Sequence, residues 1–374
     1  MKIGIFSESY EPIVNGVSVS VAVLRDGLVG RGHDVFVFAP AYPGHKDDYD
    51  KVVRVPSNSL FVKGYPLPYP RIPDFRHLGL DIVHTQIPFT LGTLAQNVCL
   101  KEGIPVVSTN HTLYADYAHY CKFLPQGLTV PLLIKWMRRY YNRCRRVCVP
   151  SGPIGELLRS YGVTVPLDVI KTGIKGVPDY TEADKAEARA KLGVPEDKTM
   201  LLYVGRVAEE KNPGLLMKSL AALKRSDVVT YMVGGGPALH EIENEARALG
   251  VGEIVFTGML DHVEIIPYLM AADVFAFPSV TDTQGIAVAE AMSAALPCVS
   301  MNAGGIPENM TDGVDGFLCE NRVESYSAAL KKLFDDPDLR RKMGENAKKD
   351  SARFSVGGMI DKFEEFYSKA LYEA

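Results

Sequence analysis

The segment Ser279-Val280-Thr281-Asp282-Thr283-Gln284-Gly285-Ile286-Ala287-Val288-Ala289-Glu290-Ala291-Met292 carries the strongest chemical signal in the chain. It follows an apolar run, Val274 to Pro278, and Gly285 permits a backbone to approach a ligand closely. A helix beginning near Ile286 would aim free backbone N–H groups at an anion such as a diphosphate. Asp282 lies in the loop before that helix and Glu290 about one turn inside it. Their paired oxygens can accept hydrogen bonds from the vicinal hydroxyls of a sugar. The plainer reading is a helix start with an acidic cap at Asp282 and a solvated Glu290.

Other residues join this set. Val204-Gly205-Arg206 ends a strand-like run, and Glu209-Glu210-Lys211-Asn212-Pro213 is expected to open the next helix. Arg206 and Lys211 can then neutralise the diphosphate of a departing nucleotide; each alone reads equally as a surface cation. Asn15-Gly16-Val17 lies between the first strand and first helix, where a tight glycine turn can approach a phosphate. It lacks the full GxGxxG fingerprint, which weakens a nicotinamide oxidoreductase reading. Val233-Gly234-Gly235-Gly236-Pro237 signals only a turn. His111 closes the run Ser108-Thr109-Asn110-His111 after an apolar strand and faces either a reacting sugar or the packing of the domain. No nucleophile elbow and no metal-ligand cluster is visible.

The elements that position these residues follow one rhythm. Lys2 to Phe6, a helix from about Val17 to Gly30, and Asp34 to Phe38 form a strand-helix-strand unit. Strand-like runs continue at Val52 to Val55, Asp81 to His84, Pro105 to Thr109 and Val147 to Val149. A second series contains Met200 to Val204, Val228 to Val233, Ile254 to Thr257, Val274 to Pro278 and Pro297 to Ser300, spaced by helical patterns such as Leu239 to Leu249. β-branched runs alternating with helices predict parallel sheets covered on both faces. The fold expected is α/β, with two doubly wound Rossmann-like domains facing a central cleft. Residues 1–170 and 171–355 form the domains, and the polar stretch after Ile174 marks their junction. Residues 356–374 form a C-terminal helix that crosses back onto the first domain, its apolar face built from Met359, Ile360, Phe363, Phe366, Tyr367 and Leu371.

The totals agree. A chain of 374 residues exceeds what one hydrophobic core usually fills, and 47% hydrophobic with 23% charged residues is an ordinary globular composition. A net charge of -4 argues against nucleic acid as a partner. The six cysteines show no CxxC pair or zinc spacing and read as reduced thiols. Met1 to Glu8 is too short and too soon interrupted by charge for a signal peptide. No apolar stretch approaches the ~18 residues of a membrane span. The expected location is cytoplasmic, with any membrane contact made peripherally at the inner face of the cell membrane.

Taken in order, Asn15-Gly16-Val17, Thr109-Asn110-His111-Thr112, Val204-Gly205-Arg206, Glu210-Lys211-Asn212 and Asp282 to Glu290 closely resemble the retaining family 4 glycosyltransferases of GT-B fold. The resemblance spans nearly the whole chain. It implies a nucleotide-sugar donor held mainly by the C-terminal domain, an acceptor held by the N-terminal one, and catalysis without metal or other cofactor. By the same resemblance Arg206 and Lys211 are the diphosphate ligands and Glu290 holds the ribose. Gly16 contacts phosphate, Gly285 and Ile286 belong to the donor loop, and His111 lies near the donor sugar. The first acid of the family's Glu-x7-Glu motif is Asp282 here, about one methylene shorter, so its contact with the sugar hydroxyls is open. The mechanism implied is same-face attack by the acceptor hydroxyl through an oxocarbenium-like state, with no side-chain nucleophile.

For the acceptor, Trp136-Met137-Arg138-Arg139-Tyr140-Tyr141-Asn142-Arg143-Cys144-Arg145-Arg146 is the densest basic and aromatic run, preceded by Leu124, Leu128, Val130, Leu132, Leu133 and Ile134. Trp136, Arg138, Arg139, Arg143, Arg145 and Arg146 are candidates for contact with an anionic membrane surface; the alternative is an ordinary helix with a solvated basic face. His84 to Gly92 and Leu113 to Tyr120 resemble segments of bacterial diacylglycerol glucosyltransferases. UDP-glucose and diacylglycerol are therefore the expected donor and acceptor. GDP-mannose with phosphatidylinositol, a sucrose-type or other soluble acceptor, and a non-catalytic nucleotide-sugar sensor are the alternatives.

Overall fold

The computed structural model describes residues 1–13, 15–58, 66–112 and 126–373, with 126–128 described as backbone. Two compact units divide the chain: Met1–Gly173 with Val356–Ala374, and Ile174–Ser355.

In the first unit β1 (Lys2–Phe6), α1 (Gly16–Gly30), β2 (Asp34–Pro40) and β3 (Val52–Val55) follow one another. The short strands β4 (Ser57–Asn58) and β5 (Leu67–Pro68) pair antiparallel on their own. β6 (Ile82–Thr85), α2 (Thr90–Glu102), β7 (Val106–Thr109), α3 (Gln126–Tyr141), β8 (Arg146–Val149), α4 (Gly152–Ser160) and β9 (Leu167–Val169) continue the alternation. The sheet runs β3-β2-β1-β6-β7-β8-β9, all its described pairings parallel. Ile3, Ile5, Val35, Val37, Val83 and Val107 are fully buried, as apolar strands covered on both faces should be. The chain runs from β1 outward to β3 and returns to lay β6 on the other edge of β1. Such a reversal opens a crevice at the carboxyl ends of the two strands.

In the second unit α5 (Glu182–Leu192), β10 (Thr199–Val204), α6 (Pro213–Leu223), β11 (Val228–Val233), α7 (Leu239–Leu249), β12 (Glu253–Gly258), α8 (His262–Ala271), β13 (Val274–Phe277), α9 (Ile286–Ser293), β14 (Cys298–Met301), β15 (Gly316–Cys319), α10 (Val323–Asp335) and α11 (Pro337–Ser351) alternate again. The order β12-β11-β10-β13-β14-β15, parallel throughout its described pairings, reverses between β10 and β13. The last helix, α12 (Val356–Tyr372), belongs to the first unit. It buries Met359, Ile360, Phe363, Phe366 and Tyr367 against Val21, Leu24 and Leu28 of α1 and the sheet.

The units divide after Gly173, three residues past the expected 170, and the polar stretch expected at the junction follows directly after Ile174. It folds as α5, started by a capping box in which Thr181 and Asp184 exchange backbone and side-chain hydrogen bonds. Lys185 and Arg189 anchor it, each 2.9 Å from Asp273 at the start of β13. Charge density here serves tertiary pairing, which composition alone does not reveal.

Candidate active site

β10 delivers Arg206 and β13 delivers the Asp282 loop, and these are the two strands between which the second sheet reverses. Arg206 directly follows the β10 turn, its side chain 51% exposed and its guanidinium 3.5 Å from Glu210. The Tyr203 hydroxyl donates to the Arg206 carbonyl at 2.9 Å. The glycines after β11 grip the same turn. Gly205 N–H donates to Val233 O at 3.0 Å and Val207 N–H to Gly235 O at 2.9 Å. A Cβ at Gly234 would stand 1.9 Å from Gly205 O, and one at Gly236 2.2 Å from Val207 O. The sequence showed the triple glycine but not that it seats Arg206.

Lys211 does not open a helix. Glu209–Lys211 is one 3-10 turn, Asn212 adopts φ +54°, and α6 starts at Pro213. Proline suits the first position of a helix and disfavours right-handed helical backbone in the residue before it. Lys211 is thereby turned toward Asp282, Nζ to Oδ2 2.8 Å, with both side chains mostly buried. Thr281 Oγ1 donates to Glu210 O at 3.2 Å, a second tie between the two loops.

Asp282 is no helix cap. Gly285, at φ +76°, occupies the N-cap of α9, and no side chain caps it. The loop is braced instead by residues the sequence reading passed over. Gly305 N–H donates to Asp282 O at 2.9 Å, and a Cβ on Gly304 would meet that oxygen at 2.3 Å. The Asn309 amide donates to the carbonyls of Gln284 and Gly285. The signal available for these was Gly304-Gly305-Ile306-Pro307-Glu308, a glycine pair after an apolar strand. Ile286 is the first residue of α9, and Glu290 lies one turn in. Glu290 is not simply solvated: its Oε1 stands 2.9 Å from His262 Nε2 at the start of α8. That hydrogen bond raises the His262 pKa above its ordinary value, against the penalty of partial burial and the nearby Lys175. Arg206, Lys211, Asp282, Gly285, Ile286 and Glu290 thus gather around one switch point, with cations for a diphosphate and carboxylates for hydroxyls.

In the first unit Gly16 is the exposed first residue of α1. The Asn15 carboxamide already caps the helix, accepting from the N–H groups of Val17 and Ser18 at 3.0 Å each. His111 lies two residues past β7, and its Nε2 stands 2.7 Å from Gln86 Oε1. Burial pushes its pKa down to about 4, so the ring is neutral at pH 7.

The basic run is divided by the structure. Met137, Tyr140, Tyr141 and Cys144 are core, whereas Leu132, Trp136, Arg138, Arg139, Arg143 and Arg145 are exposed. Trp136 is 45% exposed and its indole N–H donates to Pro88 O at 2.9 Å. Arg143 donates to Asn97 at 2.9 Å. Arg146 leaves the candidate surface set: it sits on β8, largely buried, in a two-pronged pair with Asp168 at 2.9 and 3.1 Å. Leu113 to Tyr120, Leu124 and the side chain of Leu128 lie outside the described residues. Among the described residues no helix is long and apolar enough to cross a membrane.

Comparison with known proteins agrees with this geometry. Residues 14–175 match the Glycosyltransferase Family 4 model and residues 184–350 match Glycosyl transferases group 1. An alpha-monoglucosyldiacylglycerol synthase of Streptococcus pneumoniae is 31% identical over 91% of this chain and 80% of its own. The Acholeplasma laidlawii protein of the same name is 30% identical over 93% and 92%. Among solved structures, the sucrose-phosphate synthase of Thermosynechococcus elongatus superposes with a TM-score of 0.84 over 100% of both chains at 20% identity, a likeness of fold. With both halves matched and a relative of such identity and coverage, the chain belongs to the group 1 and family 4 glycosyltransferases and is an enzyme of GT-B fold.

Proposed function

We propose that this glycosyltransferase moves glucose from UDP-glucose to the hydroxyl of a diacylglycerol, with retention and without a metal ion, at the inner surface of a membrane. The observation that carries the donor half is the set Arg206, Lys211, Asp282 and Glu290 around the β10/β13 reversal. Arg206 and Lys211 supply positive charge to the departing diphosphate, the uncapped start of α9 adds backbone N–H groups, and Glu290 receives the ribose hydroxyls. The leaving diphosphate oxygen accepts the proton of the attacking hydroxyl on the face it vacates. His111, neutral under working conditions, serves the sugar as a hydrogen-bonding group rather than as a charge.

The acceptor half draws support from the two relatives named for monoglucosyldiacylglycerol synthesis. It is also supported by α3, where the exposed residues Leu132, Trp136 and Arg139 share one helical face. The test offers UDP-glucose, UDP-galactose, UDP-N-acetylglucosamine and GDP-mannose with chelator, with and without liposomes containing diacylglycerol and anionic lipid. Chelator-resistant release of UDP from UDP-glucose, accelerated by those liposomes, is expected, with an α-linked product. Preference for another donor, indifference to the liposomes, or a β-linked product would each overturn the corresponding part.

A further inference from the structure

Few buried side-chain polar atoms lack a partner among the described residues, and one of them is the Gln86 amide Nε2. Gln86 is 1% exposed. It directly follows β6, and its backbone N–H is held by Phe6 O at 2.8 Å. β6 and β7 are neighbours, with Thr85 opposite Ser108, so the residues just past them, Gln86 and His111, emerge side by side at the carboxyl end of the sheet. The contact between them uses the Gln86 oxygen, 2.7 Å from His111 Nε2.

A carboxamide oxygen can only accept, so the ring nitrogen facing it carries the hydrogen. The reversed amide would place an N–H against the same nitrogen and require the other tautomer. A buried N–H left without a partner is destabilising, and here the oxygen faces the ring although the amide N–H has no partner among the described residues. A neutral histidine has one proton for two nitrogens, and the hydrogen bond made by one decides the character of the other. His111 is kept neutral by its burial, and His84 on β6 is itself neutral, its pKa pushed down to about 3 by burial and by His111.

We propose that Gln86 is a positioning residue for the transfer reaction, its side-chain oxygen fixing His111 as the Nε2–H tautomer with Nδ1 unprotonated. The inference rests on the reading that His111 serves the sugar. It adds that a glutamine outside the family motif sets which face of the imidazole donates.

The experiment uses the full chain labelled with 15N-histidine, with His111 assigned from the signal lost in His111→Gln. The wild-type spectrum is expected to show a protonated Nε2 and an unprotonated Nδ1. Gln86→Met keeps the bulk, removes the acceptor and averages the two tautomers. Its kcat falls about 10- to 100-fold, the scale of a misoriented group, with donor KM within about twofold. Gln86→Glu places a carboxylate on the ring, raises the His111 pKa by about 1 to 3 units and gives a kcat that recovers as pH rises. A wild-type Nδ1–H tautomer, an unchanged tautomer in Gln86→Met, or an averaged tautomer with unchanged kcat would overturn the proposal. If no donor is turned over by the wild type, the functional reading fails while the spectra still decide the tautomer. The wild-type tautomer is read without either Gln86 variant having to fold.

Discussion

His84 makes the stability of the first unit depend on pH in a calculable way. The ring is fully buried, with Nδ1 2.8 Å from the Tyr367 hydroxyl of α12 and Nε2 2.7 Å from Thr109 Oγ1, among the rings of Phe363 and Phe366. Both hydroxyls can accept as well as donate, so charging the ring costs through lost hydration rather than lost partners. Its pKa is pushed down to about 3, against about 6.5 in an unfolded chain. Above pH 6.5 neither state is charged. As pH falls, the unfolded chain takes up a proton that the folded one refuses, and stability drops by about 1.4 kcal/mol per pH unit until the folded pKa is reached. From pH 7.5 to pH 5 the loss due to His84 is therefore about 2 kcal/mol. His111 acts in the same sense, whereas Glu8, raised to about 7 chiefly by burial, holds a proton in the folded state and gains stability as pH falls. The wild type alone would mix these effects, so the quantity to read is its difference from His84→Gln, which cannot titrate. Trp136 is the single tryptophan and lies in this unit, so urea unfolding followed by its fluorescence reports the right half of the chain. The stability difference between the two proteins should shrink by about 2 kcal/mol from pH 7.5 to pH 5. An unchanged difference would mean that His84 titrates as if hydrated, and would refute the argument from burial.

Two further outcomes concern the donor site. If Glu290 receives the ribose as proposed, the charged form of His262, which clasps Glu290 with a raised pKa, competes with it, so the donor KM should fall as pH rises through the His262 titration. His262→Gln should flatten that dependence, and a profile identical to the wild type would dismiss the competition. Asp282→Asn frees Lys211 from its mostly buried carboxylate; because a hydrogen bond to a charged group contributes about 1.5 to 3 kcal/mol, UDP should bind tighter by calorimetry, by up to about 150-fold. Weaker binding would show that Asp282 helps to hold the nucleotide instead of competing for Lys211.

Much of the molecule was legible in the chain. Apolar runs bounded by glycine, proline and polar residues set out strands such as Lys2–Phe6 and Val228–Val233, and the 3.6-residue pattern of Met359 to Leu371 announced α12. The motif order, from Asn15-Gly16 to Glu290, was sufficient to reach the glycosyltransferase family. These are local properties, because backbone propensity and side-chain periodicity act over a few residues.

What the sequence left open is separation bridged by folding. The reversal between β10 and β13 joins the Arg206 turn to the Asp282 loop, and only then does Lys211 find Asp282 across 71 positions. His262 meets Glu290 across 28, Gln86 meets His111 across 25, and His84 meets Tyr367 across 283. Arg146, indistinguishable in sequence from its basic neighbours, is withdrawn from the surface by a strand pairing that brings Asp168 beside it. No periodicity encodes such pairs, since their energies depend on distance, burial and shared hydrogen-bonding geometry. These quantities exist only once strand order has placed remote segments at the same end of a sheet.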